Sequence, residues 1–174
     1  MLEIVIAAVS NTISPAADTR PPEPTAFAEA VAVFSDVCFA GFPDPSTFEE
    51  KIESPELGMV RSEKDGSNLQ PGDTWSNGSV LVQYTNADWL PRDLPSPQCS
   101  TMVTLSEPLA HPDFAQYFAD TLALRDGDLG RDRPRSSSRW DFEDPAGRNI
   151  RVFFATETID DQTEVRMTIM NLRD

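Results

Sequence analysis

The chain has one histidine, two cysteines and two lysines among its 174 residues, and each scarcity rules out some chemistry. His111 is the only imidazole, so no histidine-rich metal centre can form. Cys38 and Cys99 have neither the spacing nor the partners for the four ligands of a structural zinc. The C-x-x-C of a thiol oxidoreductase is missing. So are G-x-S-x-G, H-E-x-x-H, the phosphate-binding P-loop and the dinucleotide fingerprint. No metal and no cofactor is implied. No apolar run approaches the roughly 20 residues of a membrane-crossing helix, which predicts a soluble chain without a membrane span.

Positive charge is also scarce. Fourteen basic residues face 29 acidic ones, for a net charge of −15. That balance repels the phosphates of nucleic acid and of anionic membranes. It suits either a basic partner or solubility alone, and solubility is the commoner reason. Twelve of the basic residues are arginines, with Lys51 and Lys64 the only lysines. Glycine is outnumbered by proline, eight to fifteen, which predicts long, punctuated loops in one domain over 25–174.

Residues 1–24 read apart from the rest. The stretch MLEIVIAAV passes into small residues around Ala16 and then into TRPPEP, which supports neither helix nor strand. A secretory signal needs a basic start, and Glu3 stands there instead. Three readings compete: a weak signal peptide cleaved near Ala16, an N-terminal strand, or a flexible arm.

Thr25 is placed to cap a helix over 26–39, whose Phe27, Val31, Phe34 and Cys38 share one face with Ala30 and Val37 beside them. In DPSTFEEKIESPE, Ser46 and Glu49 form a capping box, Phe48 and Ile52 stack, and Pro55 stops the helix. The segment from Glu56 to Thr74 reads as loop, and Trp75 opens a short strand. Strands follow at 79–85 and 99–105, then a helix over 112–124 with Phe114, Phe118 and Leu122 as its stripe. Loop 126–138 leads into strands RWDFE, NIRVFFATE and EVRMTIMNL. Alternation turns Ile150, Val152, Phe154, Val165, Met167 and Ile169 inward and Arg151, Arg166 and Thr168 outward.

The predicted fold is α+β: an antiparallel sheet of five or six strands with two main helices on one face. The order helix, tryptophan, strand, strand occurs twice, around Trp75 and Trp140, which raises a duplicated α-β-β-β unit.

Cys38 lies on an apolar helix face, away from any base, which argues against a nucleophile. With Cys99 at an inward strand position, the preferred reading is a disulfide closing a loop of about 60 residues. Inert buried thiols are the alternative. A disulfide requires an oxidising compartment, so the predicted address is periplasmic or secreted, otherwise cytoplasmic. His111 next to Pro112 suits a helix cap better than a general base. DGDLGRDR departs from the calcium-loop order. Arginines 125, 131, 133, 135 and 139 are a candidate anion site, offset by Asp126, Asp128 and Asp132. Large aromatics at strand starts belong more often to a core than to a ligand cleft.

The leading functional expectation is an exported bacterial binding or accessory protein without catalysis, holding a protein or small molecule. Its surface would be the sheet face at Arg151 and Arg166 or the loop bearing Arg131, Arg133, Arg135 and Arg139. Two other classes stand beside it: an intracellular acidic inhibitor or nucleic-acid mimic, and a hydrolase acting through carboxylates.

Overall fold

The computed structural model describes residues 25–62, 72–85 and 97–172. The readings of residues 1–24 and of 63–71 within the predicted loop lie outside these residues.

Apolar spacing starts the chain in helix α1, Thr25–Val33, which continues without a break into a π-turn segment, Phe34–Phe39. The predicted stripe is the buried one: Phe27, Val31, Phe34 and Cys38 face the core with Ala30 and Val37. The chain turns at Gly41–Pro43 into α2, Pro45–Ile52. Its cap is Asp44, not Ser46. The Asp44 carboxylate accepts from the Ser46 N–H at 3.2 Å and from the Thr47 hydroxyl at 2.7 Å, which holds its pKa below the usual carboxylate value. Pro45 then fills the first helical position, where its missing N–H has no partner to lose.

Seven strands follow among the described residues, where five or six were expected: β1 Val60–Arg61, β2 Asp73–Ser76, β3 Val80–Thr85, β4 Gln98–Leu105, β5 Arg135–Glu143, β6 Asn149–Ile159 and β7 Gln162–Asn171. A third helix, α3, spans His111–Thr121. The strands form one antiparallel sheet in the order β1-β2-β3-β4-β7-β6-β5. The extra strand is β1, two exposed residues inside the stretch read as loop, paired to β2 at Val60–Ser76. The predicted loop 126–138 also ends early, because β5 begins at Arg135.

Among the described residues, α1, α2 and α3 each send an aromatic side chain against the sheet. Phe27 of α1 meets Phe114 of α3 edge-on at 4.8 Å and Phe154 of β6 at 6.0 Å. Phe118 of α3 contacts Phe34, Trp140 and Phe154 at 5.3–5.8 Å. Phe48 of α2 stacks on Tyr84 at 4.3 Å and meets Trp75 at 5.2 Å. Trp75 and Trp140 are thus core residues. Cys38 reaches the sheet beside Thr101, and its Sγ lies within bonding distance of Cys99 Sγ, with the Cα atoms 5.5 Å apart. The β6–β7 hairpin turns on Asp160 and Asp161, both at positive φ, as a two-residue primed turn requires.

Helix α3 ends awkwardly. Leu124 N donates back to Ala119 O at 2.9 Å, and Ala123 between them takes a φ of 56°. Glycine is the residue that accepts this left-handed position without strain. Ala123→Gly, exposed and outside the core, should raise unfolding stability by about 0.5–1 kcal/mol in a urea titration. An unchanged or lower midpoint would contradict that.

Candidate cleft on the outer sheet face

The sheet face away from the helices carries the charged half of each alternation. Arg135, Ser137, Arg139 and Asp141 of β5 point outward, opposite Glu157, Ala155, Phe153 and Arg151 of β6. Ala155 lies next to Arg166 of β7, and Glu157 next to Glu164. Of these, Arg135, Ser137, Ala155, Glu157, Glu164 and Arg166, with Ser136, Thr156, Arg133 and the loop residues Asp128–Arg131, line an open cleft of about 690 Å³. A smaller depression of about 370 Å³ adjoins it, sharing Ala155 and Arg166 and running to Phe153, Thr168, Ser100 and Gln83.

The six candidate arginines divide here. Arg131, Arg133, Arg135 and Arg166 line the cleft. Arg139 and Arg151 do not, and both turn to Asp141. Arg151 holds that carboxylate through two bonds of 2.6 and 2.9 Å, and Arg139 lies 3.7 Å from it. The double bond from Arg151 is the main reason the Asp141 pKa is lowered. Within the cleft, Arg135 is ion-paired with Glu157, and Arg166 stands 3.6 Å from Glu164. Arg131 and Arg133 are exposed and make no ion pair among the described residues.

The loop carrying these two arginines is pinned along its backbone. Asp128 and Arg139 exchange both main-chain bonds, at 2.8 and 2.9 Å. Gly130 N donates to Ser138 Oγ at 2.9 Å, and Ser136 Oγ donates to Arg131 O at 2.5 Å. Asp132 accepts from the His111 N–H at 3.4 Å. Thr158 N donates to Pro134 O at 2.6 Å. Gly130 is needed where the loop crosses the polar groups beneath it: a Cβ there would come within 2.8 Å of His111 Nε2 and 2.5 Å of Ser136 Oγ, with the Ser137 carbonyl nearer still. Gly130→Ala should therefore lift the loop and lower stability by about 1–3 kcal/mol. Thermal unfolding at one pH checks this; an unshifted transition would show that the loop gives way freely.

Beneath the loop lies a polar knot that the sequence reading missed. His111 is not a helix cap; Ala110 precedes α3 and His111 is its first residue. Its ring is fully buried against Phe154, with Nδ1 2.8 Å from Thr156 Oγ1 and Nε2 2.9 Å from Ser138 Oγ. Burial lowers its pKa, partly offset by Asp132. The serine–histidine contact is sealed from solvent, since Ser138 and His111 are both 0% exposed.

A third cavity of about 380 Å³ lies at the other end of β6, lined by Phe39, Phe42, Phe142 and Ile150. The Arg148–Asp144 ion pair stands at its edge.

Among the described residues, no cluster of three His, Cys, Asp or Glu side chains could hold a metal ion, and no helix is long and apolar enough to cross a membrane. No known protein family, curated protein or solved structure matches the chain.

Proposed function

We propose that the protein is an exported binding or accessory module, without catalysis of its own, whose ligand surface is the outer face of the sheet over β5, β6 and β7. The observation carrying this reading is the cleft itself. It presents Arg131 and Arg133, which make no ion pair among the described residues, on a backbone pinned in place, so little backbone ordering remains to oppose binding. Its floor offers hydroxyls and guanidinium groups, and the serine–histidine contact stays closed behind Gly130.

The alternatives draw less support. A hydrolase needs one carboxyl held protonated beside another held ionised. Asp44, Asp141 and Asp144 are each shifted the other way, downward, by hydrogen bonds or arginine. The intracellular inhibitor rests on the net charge of −15, and the bonded geometry of Cys38 and Cys99 weighs against a reducing compartment.

We also infer that the fold is a duplicated α-β-β-β unit. Strands β2-β3-β4 and β5-β6-β7 each form a meander, and the two join through β4 and β7. Trp75 stands opposite Val82 in the first, and Trp140 opposite Val152 in the second. Helix α1 precedes one meander and α3 the other.

The address is tested by the intact mass of the protein from its native host, before and after reduction. Loss of about the first 16 residues and a gain of about two hydrogens on reduction is the expected result. A full-length chain indifferent to reductant overturns export. Turnover of any substrate abolished by His111→Gln overturns the non-catalytic reading.

A further inference from the structure

We infer that the outer-face cleft is a receptor for a small multivalent oxyanion, a ligand bearing at least two carboxylate or phosphate groups. Such a ligand would be held between Arg131 and Arg133 on the loop and Arg166 on the sheet. The inference rests on the binding-module reading above and adds the chemistry of the ligand.

Charge points first in this direction. The chain carries −15 overall, yet the cleft is lined by Arg131, Arg133, Arg135 and Arg166 against Asp128, Glu157 and Glu164. A locally positive surface has thus been kept within a strongly negative protein. Arginine suits such a task, because its planar fork of donors matches the oxygens of carboxylate and phosphate. Arg131 and Arg133 have no carboxylate paired to them among the described residues. Arg166 is ion-paired with Glu164 at 3.6 Å, longer than a direct hydrogen bond, so a bound oxyanion competes with that carboxylate for its donors. Arg135, bound to Glu157, is already engaged.

Two cationic positions on separate elements call for a ligand with more than one anionic group. A monoanion would satisfy one and leave the other idle. The cleft volume of about 690 Å³ falls in the range of small-molecule sites.

The same net charge selects a small ligand over a polymer. A long polyanion or an acidic protein would meet the repulsive field of the whole chain. A compact anion inside the cleft feels chiefly charges within about 8–10 Å at physiological salt.

The test is calorimetric titration of the oxidised full-length protein with citrate and with pyrophosphate at fixed ionic strength, using acetate as the monovalent control. Amide shifts from NMR locate the site. The expected result is saturable binding of at least one of the two, with shifts centred on Gly130–Ser137 and Ala155–Glu157. Arg131→Gln with Arg133→Gln should weaken it at least tenfold, as should Arg166→Gln alone, while Arg61→Gln, on the opposite edge of the sheet, leaves it unchanged. Preference between citrate and pyrophosphate then identifies carboxylate or phosphate as the natural group. Binding that persists in both variants, or that acetate matches, overturns the inference. If neither anion binds but a neutral fraction of host metabolites shifts the cleft amides, the oxyanion inference falls and the binding module stands. If nothing shifts them, both fall.

Discussion

Replacing both Cys38 and Cys99 by alanine should lower the unfolding free energy by about 4 kcal/mol. The two residues lie 61 positions apart, and a cross-link over such a span removes much of the freedom of the unfolded chain. It joins the π-turn end of the first helix to the centre of the sheet, at a strand that pairs with β3 on one side and β7 on the other. Each half is at most 1% exposed, so reductant reaches the bond only when the helix lifts off the sheet. Urea titrations of the parent, with and without reductant, and of the double variant measure the effect. The reduced parent and the variant should unfold at nearly the same denaturant concentration, well below the oxidised parent. Single replacements should fall close to the double variant, since one sulfur cannot bridge alone. An oxidised parent no more stable than the variant would show that the cross-link contributes nothing in solution.

What made this pair legible was polarity and phase. Cys38 falls on the stripe of Phe27, Val31 and Phe34, and Cys99 falls in step with Val103 and Leu105, so both were directed to the same interior. The wide turn over Phe34–Phe39 keeps that stripe buried. Periodicity likewise placed β3, β4, β6, β7 and α3, because each alternates or repeats over enough residues to outweigh its ends. It failed where burial is polar. The start of β5, RSSS, has no apolar residue and read as loop, although Ser138 continues inward in phase with Trp140 and is completely buried. Serine can occupy that position only because His111 and Gly130 supply its hydrogen bonds, and those partners come from 27 and 8 residues away. The available signal was phase alone: Arg135 and Arg139 fall in step with Asp141, and Ser138 with Trp140 and Phe142. β1 offered none: two exposed residues held by pairing to β2. The arginine group was found from composition, but its division was not, because that depends on Asp141 lying opposite Arg151 across the β5–β6 register.

His111→Ala should cost about 3–5 kcal/mol, through both a cavity and a broken polar network. The ring is fully enclosed between α3, β5 and β6. Its removal strips Thr156 of its imidazole partner, takes one of the two bonds from Ser138, and leaves a void against Phe154. Because this is the only histidine, its titration has a separate signature. Burial lowers its pKa below the ordinary 6.5, with the Asp132 carboxylate opposing in part. Between that lowered value and 6.5, the unfolded chain binds more protons than the folded one, so stability rises with pH there. The contribution is whole above 6.5 and is lost as pH falls from 6.5 through the native value. Asp44, Asp141 and Asp144 have lowered values too, but their contributions hold above the ordinary carboxyl value of 3.8 and fade only beneath it. The two windows do not overlap at pH 5.5–8. Stability measured across that range should slope upward in the parent and be flat in His111→Gln, which keeps a polar side chain but cannot charge. A slope that survives the substitution would mean that the imidazole titrates alike in both states and that the knot beneath the arginine loop is open to water. A slope that vanishes would identify His111 as the group through which mild acid loosens the packing under Gly130 and, with it, the backbone that holds Arg131 and Arg133 in place.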